Sequence, residues 1–90
     1  MMVRVELGAR FTQLTGGEDS LQLQGRTIAD LLGELEKRFP QMKGKVRDES
    51  GALRQVNIFV NGKNIRMLDG TKTPLQDGDE VSLIPTIGGG

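Results

Sequence analysis

Neither cysteine nor histidine occurs among the 90 residues. Without cysteine there is no disulfide staple, no thiol nucleophile and no thiolate metal ligand. Without histidine the usual general base and the commonest metal ligand are missing too. Tryptophan and tyrosine are absent and phenylalanine occurs three times, which leaves few platforms on which nucleic-acid bases could stack. Charge of neither sign is in excess: twelve Lys and Arg balance twelve Asp and Glu. No strong overall field therefore draws the chain to nucleic acid or to an anionic membrane. No apolar run approaches the ~20 residues of a membrane span. The opening "MMVRVELGAR" alternates apolar and polar residues instead of running apolar as a signal peptide does. The expectation is a soluble cytoplasmic protein, not itself an enzyme, with no metal or cofactor of its own.

What is present is clear patterning over a length suited to one two-layer core. "MVRVELGA" puts Val3, Val5 and Leu7 on one face of a strand and Arg4 and Glu6 on the other. "LQLQG" repeats the alternation with Leu21 and Leu23 after the polar, Gly-rich "TGGEDS". The two strands read as a β-hairpin, and Phe11 and Leu14 suggest that its long connection packs on something. "TIADLLGELEKRFP" is an amphipathic helix. Thr27 is its N-cap, with Asp30 in a capping-box position. Ile28, Leu31, Leu32 and Leu35 form its apolar stripe, continued by Phe39, and Pro40 stops it near Arg38. Gly33 falls on the outer face, at a cost of about 1 kcal/mol relative to alanine. Residues 41–54 follow neither period and read as a loop with one short helical turn around Val46.

"QVNIFVNGKNIRM" is a strand with Val56, Ile58 and Val60 on one face and Asn57 and Phe59 on the other, closing on the tight-turn pair Asn61-Gly62. A short return segment carries Ile65 and Met67 inward. Turns at Asp69-Gly70 and Asp77-Gly78 lead to a last strand with Val81 and Leu83 facing the core. The order strand, strand, helix, strand, short strand, strand argues an α+β domain, with a mixed sheet of four to five strands and one main helix across one face. That is the β-grasp (ubiquitin-like) arrangement. A ferredoxin-like alternative would need a second helix. The expected division is a folded domain over residues 1–85 and a flexible tail over 86–90.

Most candidate sites reduce to simpler roles. Asp77, Asp79 and Glu80 lack the twelve-residue ligand spacing of an EF-hand and read as a turn. The charges of "GELEKR" lie opposite the apolar stripe, with Glu34 and Arg38 four apart in the favourable order. Gly16-Gly17 is followed by acids, not by the lysine and hydroxyl residue of a phosphate-binding loop. Phe59 and Ile84 are different. Strand parity puts both on the face of the sheet opposite the helix, where two apolar side chains on neighbouring strands could begin a partner surface.

The ending "PTIGGG" stands out further. At a glycine frequency of about 7%, three successive glycines arise about three times in ten thousand. From Pro85 to Gly90 an extended chain reaches on the order of 17 Å. Without β-carbons it passes through channels closed to other residues. What it delivers is a carboxylate, a poor electrophile until ATP converts it to an acyl-adenylate. A chain without a phosphate-binding loop needs a partner for that step.

"VNIFVNG" and "LQDGDEVSLIPTIGGG" together resemble the ubiquitin-like sulfur carriers of the MoaD/ThiS type, whose last strand runs into a short tail closing in Gly-Gly. The resemblance covers the whole length and is strongest from Val56 to Gly90. It implies that an E1-like adenylyltransferase using ATP and magnesium adenylates the Gly90 carboxylate. Sulfide or a protein persulfide then displaces AMP, leaving a thiocarboxylate for a sulfur-acceptor synthase. Gly89 keeps the approach slim, Gly88 stands where relatives often carry alanine, and Phe59 and Ile84 match the face on which relatives dock their activating enzyme. The free protein is expected to be a monomer. The destination is left open among molybdopterin, thiamin, cysteine and tRNA thiolation, with the long 41–54 segment more like the cysteine-synthesis carriers. Two other readings stand beside this one: a ubiquitin-like modifier joined to lysines through Gly90, and a binding module whose glycines are inert.

Overall fold

A computed structural model of the chain describes residues 1–86. Gly88, Gly89 and Gly90 lie outside the described residues. The alternation at the start forms β1 (Met2–Leu7), which pairs antiparallel with β2 (Ser20–Gln24), Val3 opposite Leu23 and Val5 opposite Leu21. The connection contains α1 (Ala9–Thr12), a single turn that buries Phe11. Four residues are too few to display a helical period, so this element is not visible in the sequence pattern; the packing of Phe11 is.

The main helix, α2 (Ile28–Arg38), starts and stops as predicted. The Thr27 hydroxyl accepts from the Asp30 amide at 3.2 Å. The Asp30 carboxylate accepts from the Arg26 amide at 3.4 Å, so the return half of the capping box is displaced by one residue. Phe39 leaves helical geometry (φ −128°, ψ 85°), as the following proline demands. Ile28, Leu31, Leu32 and Leu35 are buried against the sheet, with Phe39 partly buried beside them.

Residues 56–60 form β3 (Val56–Val60), followed by a turn in which Asn61 (φ 51°) and Gly62 (φ 84°) both take positive φ, the signature of a type I′ hairpin. β4 (Lys63–Asn64) is short and passes into a 3₁₀ turn, Ile65–Met67. This corrects the expectation for Met67: the turn breaks the two-residue alternation, so Ile65 is buried and Met67 is 79% exposed. The last strand, β5 (Glu80–Pro85), inserts between β1 and β3, parallel to the first and antiparallel to the second. The sheet order is β2-β1-β5-β3-β4. One face of all four long strands lies under α2, which makes this the β-grasp arrangement.

Three further expectations change. The helical turn in residues 41–54 is a 3₁₀ turn at Pro40–Met42 and not around Val46. From there the segment folds back as a small hairpin, with Arg47 bridged to Leu53, and Met42 and Val46 buried beneath it. Gly33 is not on an open face: the Arg47 guanidinium crosses the helix there, and a Cβ on Gly33 would lie 3.7 Å from it. Arg47 holds Glu36 through two hydrogen bonds of 2.9 and 3.0 Å. The Glu34–Arg38 pair is not formed, because Glu34 takes Lys37 at 3.6 Å instead, an exposed pair worth little.

Candidate functional site

The end of β5 is the place where the chain leaves the sheet, and its geometry is set from two sides. Gly8, just past β1, donates its amide to the Leu83 carbonyl at 2.9 Å. On the other side the Thr86 amide donates to the Gln55 carbonyl at 2.9 Å. The strand is thus held up to Thr86. Gly8 has an ordinary extended conformation (φ −64°, ψ 162°), so backbone freedom does not explain it. Space does: a Cβ there would stand 2.6 Å from Pro85 Cδ. Pro85 rests where β1 passes closest.

Around this exit the two sides of the sheet differ. Pro85 follows Ile84, so by parity it turns to the helix side. There it lines a groove of about 300 Å³ with Arg10, Leu14, Lys45 and Gln55. Ile84 turns to the open face and is 47% exposed. Phe59 is opposite Ser82, and Asn57 opposite Ile84. Phe59 and Ile84 are therefore diagonal neighbours on adjacent strands, within reach of one another. Phe59 is half-buried. Away from these two the face is mostly polar, with Arg4 and Glu6 on β1, paired at 3.6 Å, and Gln22 and Gln24 on β2; Met2, opposite Gln24, is its other exposed apolar side chain.

The acids set aside above are occupied in turns. Asp77 accepts from the Met2 amide at 2.8 Å. Asp79 accepts from the Gln76 amide at 2.8 Å and from the Asn61 side-chain amide at 3.0 Å. Gly16 and Gly17 take positive φ in the connection to β2. Among the described residues no group of three or more acids could hold a metal ion, and no helix is long and apolar enough to cross a membrane. In the small hairpin, the Asp48 carboxylate accepts from the Ser50 hydroxyl (2.6 Å) and from the amides of Ser50 (2.9 Å) and Ala52 (3.0 Å). These bonds, the hydroxyl's foremost, hold its pKa below the ordinary aspartate value.

The structure brings Ile84 and Phe59 together beside the exit, as parity predicts. It also brings Arg10, Lys45 and Gln55 there. Those three come from separate stretches with no shared period, and only the convergence of the ends of β1, β3 and β5 unites them.

Comparison with known proteins gives a consistent picture. The ThiS family matches residues 5–90. The sulfur carrier protein CysO of Mycobacterium tuberculosis is 33% identical over 93 residues, covering 100% of both chains. The solution structure of small archaeal modifier protein 1 from Methanosarcina acetivorans superposes with a TM-score of 0.89 at 32% identity, over 99% of this chain and 96% of that one. The Amycolatopsis orientalis BexX/CysO complex contains a chain that matches with a TM-score of 0.88 at 28% identity, over 98% of this chain and 99% of that one.

Proposed function

The chain belongs to the ThiS family, and from this we propose that it works as a sulfur carrier protein with its reactive group at the Gly90 carboxylate. The observation that carries the proposal is the coincidence of two features. The family match runs on through the terminal glycines to residue 90, and the strand leading to them is held to Leu83 on the β1 side and to Thr86 on the β3 side. A partner enzyme supplies ATP and magnesium. The Gly90 carboxylate attacks the α-phosphate, releasing pyrophosphate and forming an acyl-adenylate. Hydrosulfide then displaces AMP and loses its proton, leaving a thiocarboxylate. A persulfide donor gives an acyl disulfide instead, which a thiol reductant must cleave. No residue of the folded domain has to act as acid, base or ligand in these steps. The domain's part is to present the tail, with Gly88 and Gly89 keeping it slim, and to dock through the face bearing Phe59 and Ile84.

A CysO in complex with a second protein supports a further partner of the sulfur-acceptor kind, and the full-length likeness to CysO supports the cysteine-synthesis destination. The use of ATP fits a cytoplasmic protein, and the domain works as a monomer between encounters. Likeness to a small archaeal modifier protein favours a second reading, conjugation of Gly90 to lysines, which shares the adenylation step. Intact mass after incubation with ATP, magnesium, sulfide and the activating enzyme of the same cell separates them. Exchange of one oxygen for sulfur at Gly90 is the expected result. Isopeptide-linked adducts without that exchange would favour the modifier, and an unchanged mass with an enzyme active on another carrier would refute both.

A further inference from the structure

Resting on the carrier reading, we propose that Arg10 and Lys45 form a cationic rim on the helix side of the tail exit, and that this rim docks on carboxylate side chains at the mouth of the activating partner's channel. The groove against Pro85 has these two cations in its lining, with no acid. The hollows elsewhere on the surface are mixed: the one along α2 sets Glu34 beside Lys37 and Arg38, and the one under the small hairpin holds Glu36, Asp48 and Glu49. Among the described residues neither Arg10 nor Lys45 makes an ion pair; the pairs present use Arg4, Lys37 and Arg47. Arg54 adds a third positive charge nearby, its guanidinium donating to the Gly44 carbonyl at 3.1 Å. Asp19, which leads into β2, stands across β1, where Leu7 bonds to its carbonyl. That is two strand spacings from β5, roughly 10 Å.

A neutral protein gains nothing from net charge in finding its partner, so a local field must do the steering. The tail cannot supply it. Its own carboxylate is negative and travels toward the phosphates of ATP, which repel it. The fixed charges that meet the partner first are those around Pro85. On the other side of the exit Ile84 offers an apolar contact, so the partner meets cations on one side and an apolar patch on the other. That asymmetry sets the rotation in which the tail enters.

The test measures the second-order rate of activation at low and high salt, with ATP, magnesium and the activating enzyme. The variant is Arg10→Glu with Lys45→Glu. The control, Lys63→Glu with Lys72→Glu, makes the same charge change at other exposed sites. We expect the rim variant to lose about tenfold or more in kcat/KM at about 0.05 M salt with kcat retained. The gap should close as salt rises to about 1 M, where charges are screened beyond ~3 Å. The control should stay within about twofold. Arg10→Gln with Lys45→Gln should show a smaller loss of the same salt dependence, which guards against misfolding of the reversal variant. Equal losses in rim and control variants, or no loss in the rim variant, would overturn the rim while leaving the carrier reading intact. Failure of the wild-type chain to be activated would instead sink the carrier reading, and the rim with it.

Discussion

Two glycines, Gly8 and Gly33, test how far the packing described above governs the chain, because replacing each with alanine should shift stability in opposite directions. Neither has a positive φ, so alanine meets no backbone strain at either. At Gly8 the substitution also restricts the unfolded chain, a gain of about 0.4–1 kcal/mol. Against this stands the new Cβ, 2.6 Å from Pro85 Cδ and 3.4 Å from the Leu83 carbonyl oxygen. The ring carbon cannot swing away, since it is bonded to the backbone nitrogen. Relief requires about 1 Å of movement by the end of β5 or of β1, at the cost of the Gly8–Leu83 and Thr86–Gln55 hydrogen bonds. Overpacking of this kind costs about 1–3 kcal/mol, leaving a net loss of roughly 0–2.6 kcal/mol. At Gly33 the Cβ would sit 3.7 Å from Arg47 Nη2, an ordinary contact, and the helix-interior preference for alanine over glycine should add up to about 1 kcal/mol. Urea unfolding of the two variants reads both. In a domain of this size each kcal/mol moves Tm by roughly 4–8 °C, so thermal melts should separate them clearly. Gly8→Ala should also slow activation at temperatures where it is fully folded, because it displaces Pro85. A Gly8→Ala protein more stable than wild type would refute the close approach of β1 to Pro85.

Other expectations are briefer. Leu35→Ala removes a side chain that is 1% exposed and should cost about 2–5 kcal/mol by urea unfolding; an effect below about 1 kcal/mol would contradict the packing of α2 on the sheet. Phe59→Asp should weaken binding to the activating enzyme, measured by calorimetry, without unfolding the domain, and unchanged affinity would retire that face. Asp48 has its pKa depressed in the folded state. Its contribution to the small hairpin is therefore complete above the ordinary aspartate value of about 3.9 and lost as pH falls through the lower folded value. Amide exchange at Ser50 and Ala52 should become less protected on that acid side, and Asp48→Asn should remove the pH dependence. Deletion of Gly90 should abolish activation and change Tm by no more than a degree or two; a large fall in Tm would refute the reading of a tail outside the core.

Much of the fold was legible because the strands alternate cleanly and α2 repeats with its own period. Val3, Val5, Leu21, Leu23, Val81 and Leu83 all face the core, and the same parity set Phe59 and Ile84 on the open side. What escaped depends on contacts far apart in sequence or on elements shorter than a period. The order in residues 41–54 comes from Arg47 reaching back to Glu36 and from its bridge to Leu53, neither of which leaves a local pattern. Met67 was misplaced because a 3₁₀ turn replaces the expected strand. The exit groove was invisible for the same reason as the hairpin: Arg10, Lys45 and Gln55 meet only once the sheet is assembled.

The position of β5 has a mechanical meaning. A strand flanked on both sides, by four paired positions with β1 and five with β3, resists a pull along its axis in shear, with the rungs of both ladders loaded together. An edge strand such as β2 or β4 would load one ladder alone. Tension on the tail, whether from a partner drawing it inward or releasing it, is thus spread across the middle of the sheet. A carrier built this way can be tugged at its end, emptied and refilled without its core coming undone.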